Sequence, residues 1–186
     1  MTDDSALDTR ISEPSPSAGE VEMLLFALDR SRATFAWKCG GLDASQLHRR
    51  FPPSAMTLAG MIKHLAFVED WTALRLTAQR FGEPWISVDW DADPEFPWRS
   101  AADDSPDELY GLWRDAAARC RAAVDTVLAG EGLDQLVKYT SDPNELPNAR
   151  RLLVDLHDEY ARHVGHADLF REAIDGLVGE DPPKPT

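Results

Sequence analysis

Apolar positions recur along this chain at helical rather than alternating spacing. Val21, Leu24, Leu25, Leu28 and Phe35 define a first helix from about Ala18 to Lys38, stopped by Gly40-Gly41. Leu58, Met61, Leu65, Val68 and Thr72 share a stripe on a second, which starts at Thr57 and is predicted to run to about Arg80. The strongest local signal is Ser105-Pro106-Asp107-Glu108: a capping serine, a proline in the first turn and a glutamate that can close a capping box. The third helix follows, with Leu109, Leu112, Trp113, Ala116, Cys120, Ala123, Val124 and Val127 inward and Gly130 at its end. A fourth starts near Asn148, turns Leu153, Leu156, Tyr160, His163, Ala167, Phe170 and Ile174 inward, and ends at Gly176 or Gly179. Four amphipathic helices of this length predict an all-α four-helix bundle.

The connections are long. The first passes through Pro52-Pro53, and residues 81–104 carry Pro84, Pro94 and Pro97 among several aromatic residues. The stretch Val88 to Trp98 reads either as a lid beside a site or as an excursion pinned by Trp90 and Trp98. Residues 131–148 form a second irregular stretch, with Leu136 to Thr140 as a short extended candidate. The ends, 1–17 and 179–186, are rich in Ser, Pro and Asp or in Pro, and read as flexible tails around one domain spanning 18–178.

Composition narrows the partners. The chain has 186 residues, 43% of them hydrophobic, and a net charge of −14, the wrong sign for binding nucleic acid. Neither a signal-like start nor an apolar run of membrane-spanning length occurs, so a soluble, cytoplasmic protein is expected. Cys39 and Cys120, each within an apolar helical stretch, are expected to be buried free thiols.

The candidate chemistry lies on the second and fourth helices. Glu159 and His163 differ by only about 40° in helical projection, and His163 and His166 by about 60°. One helix face therefore offers two or three ligand types, and His64 on the second helix supplies another. Each histidine alone is ordinarily a hydrogen-bonded core residue. A carboxylate one turn from His163 shifts the balance, because burying it beside the core requires a cation, either a metal or an arginine such as Arg162. His166 remains a fourth ligand, a neighbouring polar group or a substrate contact. His157 points away from His163 and reads as solvated. Glu69-Asp70 read as surface charge or as partners of an arginine, with a role in orienting ligands as the alternative, and Trp71 and Trp113 as core or interface residues.

Two segments, MTLAGMIKHLAFVEDW and LLVDLHDEYARHVGHADLFREAIDG, resemble the signature helices of the DinB/YfiT-like metalloprotein superfamily. They are closest to its actinobacterial mycothiol-dependent transferase-like branch. The resemblance covers about residues 20–178. It implies a bundle with up-down-down-up order and a homodimer. It also implies a divalent metal, zinc or nickel, on three ligands matching His64, Glu159 and His163. Many members have histidine at both positions of the last helix; glutamate at 159 is shared with the maleylpyruvate isomerase relatives. His166 falls where many members have glutamine, which implies a polar role near the site rather than ligation. The implied activity is transfer of a mycothiol- or bacillithiol-type thiol, activated on the metal, to a small electrophile. The alternatives are a non-catalytic metal-binding stress or scaffold protein and a metal-dependent hydrolase.

Overall fold

The computed structural model describes residues 7–142, 144 and 146–183. The regular elements among them are all helical: α1 (Glu20–Cys39), α2 (Ala44–Leu47), α3 (Leu58–Thr77), α4 (Phe96–Ser100), α5 (Pro106–Ala129) and α6 (Ala149–Asp175). Single 3-10 turns lie at Trp85–Ser87, Ala101–Asp103 and Gly132–Asp134. The extended candidate at 136–140 reduces to an isolated bridge between Leu136 and Asn148. None of the described helices is long and apolar enough to cross a membrane.

The helix ends follow the local chemistry of the sequence. Ser105 and Glu108 form a reciprocal capping box at the start of α5, and the Asn148 side chain accepts from the Arg151 N–H at the start of α6. Thr57 caps α3 by accepting from the Gly60 N–H. Gly176 ends α6 with φ 80°, a conformation in which an L side chain would be strained. Helix α3 ends at Thr77, a little short of the expected end near Arg80. Ala78 turns into the left-handed region at φ 60° and returns its N–H to the Leu74 carbonyl.

Helix α3 packs along α5, and α1 along α6, while α3 also meets α6. Phe35, Leu65, Leu109, Trp113, Cys120, Leu156 and Tyr160 belong to the core these four helices share. Both cysteines are free and buried. Of the expected N-terminal tail, residues 1–6 lie outside the described residues. Leu7 packs against the core, and the residues after it run along the groove between α1 and α5. Of the expected C-terminal tail, residues 184–186 likewise lie outside the described residues.

The core contains a polar knot. Arg32 of α1 donates from Nε and Nη2 to the two oxygens of Glu69 on α3, both at 2.7 Å. Tyr160 of α6 donates to Glu69 Oε1 at 2.6 Å, and Trp113 of α5 donates to the Tyr160 hydroxyl at 2.7 Å. All four long helices thus meet at one carboxylate. Beside it, Asp70 takes a bidentate pair from Arg119 and the indole N–H of Trp85. Glu69 and Asp70 are therefore not surface charges. Glu69 is fully buried and Asp70 nearly so, each held by an arginine from another helix. Periodicity places both on α3; their partners come from far along the chain.

Burial alone would raise the Glu69 pKa, but Arg32 and the Tyr160 hydroxyl outweigh it and hold the carboxyl below its ordinary value of 4.5. A depressed folded pKa adds stability above the unfolded value, and that contribution is lost as pH falls through the folded one. Replacing Arg32 by Met strands the carboxylate, at an expected cost of about 3–5 kcal/mol near neutrality. The gap to the wild type should narrow as pH falls. The stranded carboxyl of the variant, raised by burial, protonates first, above 4.5, and the wild-type Glu69 follows below it. Denaturant unfolding of both proteins across the acid range checks this. A gap that does not change with pH would show that the stabilising contact is not the charge pair.

Candidate metal centre

His64 sits on the second turn of α3, and Glu159 and His163 lie one turn apart on α6. The α3–α6 packing brings the three together. The Nε2 atoms of His64 and His163 each lie 3.4 Å from the same oxygen, Glu159 Oε2. One ligand atom from each residue falls within 4.8 Å of the others. Ligands ~2.1 Å from a tetrahedral ion stand about 3.4 Å apart, so the spacing suits a small divalent cation. Two imidazoles and one carboxylate also form a nitrogen–oxygen donor set that such ions accept.

The electrostatics agree with that fit. Burial pushes the His163 pKa down to about 4, assisted by His64 and His166 and opposed by Glu159. Burial likewise lowers the His64 pKa against the pull of Glu159. Both rings are therefore neutral near pH 7, and their contacts with Glu159 are not ion pairs. Neutral imidazole is the form that binds a metal. The remaining charge near Glu159 is Arg162, whose Nη1 is 3.6 Å from Oε1 on an exposed side chain. Arg162 reaches the oxygen that the histidines do not share, so the carboxylate can meet both demands raised by its sequence position.

The surroundings add Trp98, which the sequence placed only at the end of a stretch read as a lid beside a site or as a pinned excursion. The Trp98 ring on α4 stacks on His64, with centroids 4.7 Å apart and planes 22° apart, and lies 5.6 Å from the His163 ring. It can approach so closely because position 60, one turn before His64, is glycine. A Cβ there would lie 2.9 Å from Trp98 Cε3. An aromatic residue beyond a proline-rich stretch and a glycine at i−4 of the histidine were the available signals. Trp90 instead packs with Phe67, Trp85 and Phe96, as a pinned excursion would.

The other histidines separate from the cluster. His166 lies beside His163, ring centroids 5.5 Å apart, but outside the three converging donors. Its Nδ1, like that of His163, is buried without a hydrogen-bond partner among the described residues. His157 lines a different cavity together with α1 residues, and His48 Nε2 meets the Ala101 carbonyl at 3.0 Å.

A comparison with curated proteins found no significant match to the chain. A family model described as mycothiol-S-transferase matches residues 23–176, from the start of α1 to the glycine that ends α6. The matched span includes His64, Trp98, Glu159 and His163 and covers most of the sequence. The chain belongs to the mycothiol-S-transferase family, of DinB-like type.

Proposed function

We propose that the chain is a metal-dependent thiol S-transferase. In this reading His64, Glu159 and His163 hold a divalent cation, most simply zinc. The co-substrate is a low-molecular-weight thiol of the mycothiol or bacillithiol kind. The supporting observation is the convergence of two neutral imidazoles on one carboxylate oxygen, in a chain whose family is named for mycothiol transfer. A cation bound there would supply Lewis acidity, which brings the pKa of a thiol or water toward neutrality.

The protein's own residues set the conditions for transfer. Helices α3 and α6 fix the donors on opposite sides of the site, and one carboxylate with two neutral rings leaves net positive charge for an incoming thiolate. Trp98 covers one side of His64 and keeps water off it. His64 also borders a cleft between α3 and α6, lined in part by Val68, Trp71 and Glu159, through which small molecules can approach. Within it, the sulfur lone pair of the deprotonated thiol would form the new bond to the electrophile, whose leaving group departs with its bonding pair, or whose double bond opens and takes up a proton. His166, beside His163, is proposed as a polar neighbour of the site rather than a ligand.

An up-down-down-up order accompanies this reading. Contacts of Glu20 with Arg150 and of Lys38 with Asp168 support parallel α1 and α6. Contacts of His64 with Glu159, and of the Leu76 carbonyl with Gln135, which precedes α6, support antiparallel α3 and α6. The bundle is proposed to span 18–178, a little more than the matched segment.

Purified protein should carry stoichiometric divalent metal by elemental analysis, and His64→Ala or His163→Ala should lose it while keeping helical circular dichroism. Full metal retention in both variants would rule out this ligand set. With cobalt in the site, a low-molecular-weight thiol should produce a thiolate-to-metal charge-transfer band; metal binding with no thiol response would speak for another activity. Trp98→Ala should weaken metal affinity by about tenfold or more, as loss of a group that orients a ligand does, as read by competition with a chromophoric chelator.

A further inference from the structure

The cleft beside the donor cluster contains an arginine whose side chain pairs with no carboxylate among the described residues. His64, Val68, Thr72 and Arg75 follow one another along a single side of α3, a run of about 16 Å at 1.5 Å per residue. Leu152, Leu156 and Glu159 face them from α6, and the cavity between has a volume of about 380 Å³. Metal donors thus mark one end and Arg75 the other.

In this acid-rich chain, of net charge −14, arginines are generally paired. Within the cleft lining, Arg162 is engaged by Glu159, Asp155 by Arg151, and Asp158 rests against His157. Arg75 differs. Its Nε is buried with no acceptor, and among the described residues no carboxylate pairs with its guanidinium. Its place in the last turn of α3 suits a cation facing the helix dipole. That does not account for a donor withdrawn from water with nothing to bond, which native structures rarely tolerate.

We infer that the cleft receives a substrate bearing a carboxylate at the end remote from the donor cluster, and that Arg75 is the specificity-determining residue that binds it. A guanidinium offers a planar fork of donors matched to a carboxylate. Val68, Trp71 and Leu152 provide an apolar wall for the part of the substrate in between. What occupies the donor end rests on the thiol-transferase reading; the anion pocket at Arg75 does not. The carboxylate belongs either to the thiol or to its electrophile.

Two pairs of probes test this. Adipate and its neutral dimethyl ester, titrated calorimetrically into metal-free protein, read the anion pocket independently of the metal centre. Glutathione and its dimethyl ester, titrated into cobalt-loaded protein, report whether the carboxylate can ride on a metal-bound thiol. Each acid is expected to bind about tenfold or more tightly than its ester if the thiol carries the group, and adipate alone if the electrophile does. Arg75→Gln should bring the ratio close to one without changing metal content or thermal unfolding, and Arg75→Lys should restore part of it. A ratio near one in the wild type for both pairs, no binding of any probe, or an undiminished ratio in Arg75→Gln each overturns the inference. A cobalt spectrum that glutathione leaves unchanged, with a persisting adipate preference, would reject the thiol-transferase reading while leaving Arg75 in its role.

Discussion

The buried pair of Arg32 and Glu69 is the contact on which the rest of the arrangement depends. A carboxylate with no exposure is tolerable only because every strong donor around it is aimed inward: the Arg32 fork, the Tyr160 hydroxyl and, behind it, the Trp113 indole. Measured against apolar residues of equal volume, such a pair contributes little net stability, since desolvation consumes most of the attraction. Its effect lies in register. Sliding any one of the four long helices by a turn leaves a charge or a hydroxyl unsatisfied in the core, whereas a purely apolar interface would resist such a slip less sharply.

That register reaches the candidate metal centre directly. Tyr160, bound to Glu69, is the residue after Glu159, and Glu69 lies little more than one turn beyond His64 on α3. Once Tyr160 and Glu69 meet, the α3 and α6 backbones are fixed within about a turn and a half of all three ligand candidates. Phe35 of α1, edge-on to both Tyr160 and Trp113, limits the remaining freedom of those rings. The polar knot therefore orients the donors without touching them, and Trp98 completes the support from the outside. Asp70 extends the same logic to the proline-rich excursion. By accepting from the Trp85 indole it anchors the segment that leads into α4 and Trp98.

Much of this was legible in the sequence, for physical reasons that differ from element to element. The capping box at Ser105, the cap at Asn148 and the glycine at 176 act over three or four residues, so the boundaries of α5 and α6 could be read locally. The projection of Glu159 and His163 onto one face is likewise a property of a single helix. The pairing of Glu69 with Arg32 is not, since it joins residues 37 positions apart through the bundle. Nothing in the surrounding pattern distinguishes a buried acid held by a distant arginine from an exposed one. Short helix α4 was hidden for a related reason. Its five residues, Phe96–Ser100, are stabilised by packing onto α3 rather than by their own propensity. Trp98 over His64 follows from that packing and from the missing Cβ at Gly60.

Glutamate at position 159 then has a cost and a use. A third histidine would leave three neutral donors needing no nearby cation, while a carboxylate at a half-buried edge must be balanced. Arg162 balances it weakly, at 3.6 Å and largely in solvent, where an ion pair is worth little. The two histidines cannot do so as cations, because burial, and at His163 the neighbouring His64 as well, holds them neutral. Most of the carboxylate's charge thus stays uncompensated by the protein and is directed through Oε2 toward the point between the two rings. A divalent cation, if held at that point as proposed, would supply what Arg162 does not and would keep one unit of positive charge after Glu159 is counted. That residual charge would favour an anionic sulfur over neutral water, so the carboxylate would be compatible with the proposed thiol chemistry rather than an obstacle to it.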